Sequence, residues 1–183
     1  MSRILFFNSL KNKKYVTSNS IVTNSSYLNK SKVKVEINYI KYDELNLAME
    51  LIEIQNREKL HKDNPNRKLI GDLLLDENYI MIVAQEGTKV IGGLTAYKLK
   101  MLDGNCCKIL LYEIDVLSEY RRQGVGSKLI KKLDEIGTSI QSKSIFLVTE
   151  ITNTAAQKFY KNIGGEKHPQ IMYVFKNSQT KKK

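Results

Sequence analysis

The chain has 183 residues, 42% of them apolar, and a formal net charge of +11. That length suits one domain with tails, and the apolar share is enough to bury a core, which excludes wholesale disorder. The charge sits on the ends: residues 1–34 carry seven basic residues and no acid, and residues 176–183 carry four and no acid. Those eleven account for the whole excess, so 35–175 is neutral, which argues against a basic surface made for nucleic acid.

No apolar run reaches bilayer length, so no membrane partner is expected. Ile4-Leu5-Phe6-Phe7 is too short for a secretory core. Residues 1–32 read as a basic, acid-free polar extension and 177–183 as a basic tail. A cytoplasmic location is expected. The alternative is organellar import, because transit peptides share the composition of the first segment. Cys106 and Cys107 are adjacent and make neither a disulfide framework nor a metal site. His61 and His168 stand alone, without zinc spacing, so no metal is expected.

The predicted domain, 33–176, begins with a strand in which Val33, Val35, Ile37 and Tyr39 alternate with polar residues. Asp43 is placed to cap a helix from Glu44 to about Leu60. Pro65 and Asn66 break the chain before a short helix, about 67–75. Tyr79 to Ala84 is a continuous apolar run, suited to a strand covered on both faces. Val90 to Lys100 pairs with it as a hairpin through Gly87, and Ile109 to Leu117 is the third strand. Gly124 to about Ile140 is an amphipathic helix carrying Val125, Leu129, Ile130, Leu133 and Ile136. A strand follows over Ser144–Val148, then a helix capped by Asn153 and running to about Asn162. Ile171 to Phe175 is the final strand. This order predicts an α/β (α+β) fold with helices against a mixed sheet.

The most informative segment joins the third strand to the long helix: Tyr112-Glu-Ile-Asp-Val-Leu-Ser-Glu-Tyr-Arg-Arg-Gln-Gly-Val-Gly-Ser127. Arg121, Arg122, Gly124 and Gly126 fall where the helix begins. A helix start presents unpaired N–H groups and partial positive charge, glycines let an anion approach, and arginines add donors, so the pattern suits a phosphate. It is neither a P-loop nor a dinucleotide fingerprint. Two solvated arginines at a glycine-relaxed helix start would look the same.

In this context the segment resembles the acetyl-CoA motif of the GCN5-related N-acetyltransferase (GNAT) superfamily. Asn153, Ala155-Ala156 and Phe159-Tyr160-Lys161-Asn162-Ile163-Gly164 resemble that superfamily's next helix. Ile70-Gly71-Asp72-Leu73-Leu74, Val90 through Tyr97, Tyr112-Glu113 and Glu119 through Gly124 are similar to the gentamicin-type aminoglycoside 3-N-acetyltransferases. That similarity runs from about Ile70 to Gly164. It implies the GNAT fold, with a mixed central sheet of about six to seven strands and about four helices.

The resemblance also implies a chemistry. Acetyl-CoA is the cosubstrate, its pyrophosphate held by Arg121, Arg122, Gln123, Gly124, Val125, Gly126 and Ser127. The pantetheine arm lies where Glu113–Leu117 splays from the Ser144–Val148 strand, and the Val116 N–H meets the thioester oxygen. Transfer to a small-molecule amine is direct. Tyr160 would protonate the departing thiolate, and Asn153 would bond the arm, a water, or only its own helix. The alternative reading of Tyr160 is an aromatic packing residue, and that of Glu113 a paired acid at the sheet edge.

Glu113 and Asp115 are two apart on a strand and share a face, where paired carboxylates attract a cationic amine and raise one partner's pKa. Glu113 is expected as the base, with Glu113, Asp115 and Glu150 binding substrate. Asp115 departs from the aminoglycoside pattern, and Asn153, Thr154 and Phe175 stand where acids are found in those enzymes. The acceptor therefore stays open: an aminoglycoside 3-amino group, a polyamine, an amino sugar or a protein amine. A non-catalytic coenzyme A-binding module is the alternative. A homodimer is common in the superfamily.

Overall fold

Alternating side chains at Val35, Ile37 and Tyr39 make a first strand, β1 (Val35–Tyr39). The computed structural model describes residues 34–56, 66–102 and 106–175, which fall into two compact units, 1–150 and 151–183. The expected extension at 1–32 and tail at 177–183 lie outside the described residues, as does His61.

In the first unit β1 leads through a 3-10 turn, Tyr42–Glu44, into α1 (Leu45–Asn56). The cap position lies two residues before Asp43. Glu44 reaches back to accept from the Lys41 amide at 3.1 Å, so Lys41 is the cap position and Asp43 lies inside the turn. The continuation toward Leu60 is outside the described residues. α2 (Arg67–Leu75) follows Asn66, whose side chain accepts from the Leu69 amide. Then come β2 (Tyr79–Glu86), β3 (Lys89–Lys100), β4 (Cys107–Val116), a 3-10 turn at Ser118–Tyr120, α3 (Val125–Ser139) and β5 (Ser142–Phe146). The last strand starts two residues before the predicted Ser144, because Gln141, at φ 55°, turns the chain straight out of α3 into pairing with Cys107.

The sheet order is β1-β2-β3-β4-β5, antiparallel except for the parallel β4–β5 pair. Both faces are covered, which is why β2 reads as an unbroken apolar run. Tyr79, Met81 and Val83 pack with Ala48 and Leu51 of α1 and Ile70 of α2. The alternate residues Ile80, Ile82, Leu94, Ala96, Ile109 and Leu111 point the other way and are as deeply buried. Over them lies α3, with Val125, Leu129 and Leu133 as its buried stripe. Burying a leucine in such a stripe contributes about 2 kcal/mol.

The second unit contains α4 (Thr154–Asn162), started by Asn153 as predicted. The predicted strand at Ile171–Phe175 is not formed: these residues have no regular structure and all five are exposed. An apolar run makes a strand only where another strand takes up its backbone N–H and C=O groups. The described residues thus form five strands and four α-helices, the expected α/β plan with fewer strands.

Candidate active site

The site is built around the end of β4. Gly93 pairs with Asp115 and Gly92 with Val116. A Cβ on Gly92 would stand 2.5 Å from the Asp115 carbonyl oxygen, and one on Gly93 would stand 2.7 Å from the Leu51 methyls. Both positions need glycine for β3 to lie this close to β4 and α1.

The ladder determines where Val116 points. The Leu117 amide donates to the Ile91 carbonyl at 2.9 Å. Hydrogen-bonded and non-bonded pairs alternate in an antiparallel ladder, so the next pair, Gly92 and Val116, is non-bonded. The Val116 N–H and C=O are therefore turned away from β3. On that side the β4–β5 ladder ends at Leu110 and Phe146, whereas β4 continues to Val116. The N–H of Val116 opens into the resulting gap. β5 ends at Phe146, two residues short of the predicted Val148, so Glu113–Val116 has no β5 residue paired with it. The Val116 carbonyl accepts from Arg121 Nε at 2.8 Å, so this side chain ties the following loop to the strand end.

That loop is held at several points. The Tyr120 hydroxyl is hydrogen-bonded to the Glu86 carboxylate, which raises the phenol's pKa. Lys89 sits 5.2 Å from the Tyr120 ring centroid and 3.8 Å from Glu119. Gln123 Nε2 donates to the Glu119 carbonyl at 2.7 Å. Arg122 (φ 59°) and Gly124 (φ 80°) are both left-handed, a conformation that glycine takes without strain. Gly124 is the N-cap of α3 and offers no side chain to its first turn. The first helical bond runs from the Lys128 amide to the Gly124 carbonyl at 3.0 Å. The N–H groups of Val125, Gly126 and Ser127 thus lie at the positive end of a 15-residue helix with no capping oxygen from Gly124. Arg122, Gln123, Gly124 and Ser127 are exposed.

Glu113 stands opposite Thr95 and Asp115 opposite Gly93, so the two acids share the face predicted for them. Glu150 is exposed at the end of the segment after β5. The sequence alone did not point to Tyr112, Tyr97 and Tyr79. The β3–β4 register shifts between Thr95 and Ala96, and this bulge brings Tyr112 onto the Glu113 face, its ring 5.7 Å from that of Tyr97.

In the second unit the Asn153 Oδ1 accepts from the Ala156 amide at 3.0 Å, while its buried Nδ2 has no partner. Tyr160 is half-buried on α4, its ring 5.1 Å from Phe159. Neither Cys106 nor Cys107 is in a disulfide. Among the described residues there is no group of three or more metal-ligating side chains, and no helix long and apolar enough to cross a membrane.

An open strand end thus leads through one loop into an uncapped, glycine-started helix. The sequence model of the acetyltransferase (GNAT) family matches residues 46–164, and the chain belongs to that family. It is 29% identical over 98 residues to the N-alpha-acetyltransferase 30 of Xenopus laevis, covering 54% of this chain and 36% of that protein. It thus spans about a third of the length of that curated relative. An aminoglycoside acetyltransferase from an uncultured soil metagenomic sample, in complex with trehalose, superimposes with a TM-score of 0.74 at 23% identity. That match covers 78% of this chain and 95% of the other. An aminoglycoside 6'-acetyltransferase in complex with a coenzyme A bisubstrate analogue gives 0.67 at 21% identity, over 79% and 99% of the two chains. At these identities the two structures share the fold.

Proposed function

We propose that the protein is an acetyl-CoA-dependent N-acetyltransferase that transfers acetyl directly to a cationic primary amine. The observation that carries this reading is the Val116 N–H, opening into the β4–β5 gap one loop ahead of the uncapped start of α3. The residues fit the cosubstrate. First-turn amides of α3 suit a pyrophosphate, and the orphaned Nδ2 of Asn153 is a donor that the pantetheine amides could use.

In this reading Val125, Gly126 and Ser127 hold the pyrophosphate with their amides, with Arg122 and Gln123 at the rim. Arg121 orients the strand end. The Val116 N–H faces the thioester oxygen as negative charge develops on it. Glu113 takes the proton that the ammonium must lose, directly or through water. The neutral amine attacks the thioester carbon, the C–S bond breaks, Tyr160 gives a proton to the leaving thiolate, and the second proton released by the attacking nitrogen restores the phenol. Asp115 and Glu150 add negative charge for the acceptor.

The acids support a polycationic acceptor such as an aminoglycoside, including its 3-amino group. A second reading, a protein's N-terminal amine, is favoured by the similarity over 98 residues to an N-alpha-acetyltransferase. Thiol release measured with gentamicin, spermidine, glucosamine and short peptides tests both. Turnover of at least one amine is expected, and Glu113→Gln and Tyr160→Phe should each lower kcat by about 100-fold or more. Tight acetyl-CoA binding without turnover of any amine refutes the reading and leaves a coenzyme A-binding module.

A further inference from the structure

Strict alternation would put Tyr112 and Glu113 on opposite faces of β4. The register does otherwise. Glu113 is paired with Thr95, and the next pair is Leu111 with Ala96, so Tyr112 is the extra residue of the bulge. Its ring meets Tyr97 edge-on at 5.7 Å, and Tyr97 meets Tyr79 at 5.2 Å. Thr95 and Tyr97 are two apart on β3 and share a face. Tyr112, Glu113 and Asp115 therefore also share one face, beside a ladder of three aromatic rings drawn from three strands.

The ladder is graded from inside to outside. Tyr79 is 7% exposed, Tyr97 half-buried and Tyr112 37% exposed. The inner phenols hold their protons more tightly than usual. Burial pushes Tyr79 well up, helped by Tyr97 and the Glu113 charge, and its hydroxyl is hydrogen-bonded to Thr95. Burial also raises Tyr97, followed by Tyr112, Asp76 and Glu113. The rings thus stay neutral and electron-rich, within the field of carboxylates. Such a wall attracts a cation over its exposed ring and disfavours an anion.

We propose that Tyr112 is a specificity-determining residue that receives the ammonium form of the acceptor beside Glu113, with Tyr97 and Tyr79 packed edge-on behind it as a rigid backing. This rests on the acetyltransferase reading and narrows its acceptor to amines that arrive charged. The ring, not the hydroxyl, supplies the attraction, so phenylalanine should substitute and leucine should not.

The test separates binding from turnover. Gentamicin, spermidine and a tripeptide with a free amino terminus are titrated calorimetrically into the full chain, its Tyr112→Phe variant and its Tyr112→Leu variant. Each protein is first saturated with desulfo-coenzyme A. The tightest-binding of the three amines should bind Tyr112→Leu about fivefold to tenfold more weakly than the parent, and Tyr112→Phe within about twofold. Affinity for desulfo-coenzyme A should be the same in all three proteins. Equal amine affinity in Tyr112→Leu and the parent overturns the proposal. So does a matching loss of desulfo-coenzyme A affinity, or the failure of all three amines to bind the parent. Amine binding that depends on the Tyr112 ring, without thiol release from acetyl-CoA, upholds this assignment while refuting the acetyltransferase activity.

Discussion

Two helices of the first unit begin in opposite ways. α2 starts from Asn66, whose Oδ1 accepts from the Leu69 amide at 2.8 Å. α3 starts from Gly124, left-handed and without a side chain to cap anything. The first satisfies its own orphan donors and gains about 1 kcal/mol from doing so. The second forgoes that stabilisation and keeps its donors available. In the same fold, the start of α2 is closed by its own side chain, and the start of α3 is the one the proposed function assigns to a ligand.

The strongest way to break this contrast is to make α3 resemble α2. Gly124→Asp tolerates the left-handed backbone better than most residues and places a negative charge at the first turn, where the pyrophosphate should lie. The KM for acetyl-CoA should rise about 100-fold, while the melting temperature moves by no more than about 3 °C. An unchanged KM would mean that the α3 start does not hold the cosubstrate.

Arg121→Ala should have a smaller effect. It removes the bond from Nε to the Val116 carbonyl and loosens the strand end against the loop. Both kcat and the acetyl-CoA affinity should fall, by about tenfold in kcat/KM. A loss of affinity alone would assign Arg121 to phosphate binding rather than to orienting Val116.

Asn66→Ala is the smallest change and the control. It should cost about 1 kcal/mol of stability, a fall of about 2–4 °C in melting temperature, and leave both kinetic constants unchanged. A kinetic effect would show that the α2 start also bears on the site.

Much of this site could be read from residue order. Arg121, Gly124 and Gly126 marked the glycine-started helix that the structure shows at Gly124, because the requirements for one are local: no side chains in the way, and donors at the end of a helix. The pairing of Glu113 with Asp115 followed from strand periodicity alone. The cap at Asn153 was equally local. The strand predicted at Ile171–Phe175 failed for the opposite reason. Five apolar residues state a preference, but a strand exists only where a neighbour accepts its hydrogen bonds.

The sequence by itself therefore determined the family, the element order through α4 and the residue types in the loop that starts α3, all of which depend on spacings within about one turn or one strand. Tertiary structure alone decided that Tyr112 joins Glu113 on one face, that β4 outruns β5 beyond Leu110, and that Arg121 turns back onto Val116. Each of these depends on what a distant segment offers. The bulge arises in the pairing with β3, the gap from where β5 ends, and the arginine's direction from a carbonyl that the ladder leaves unpaired on its β3 side. No periodicity within β4 could have announced them, because the partner strands rather than β4 itself determine its register.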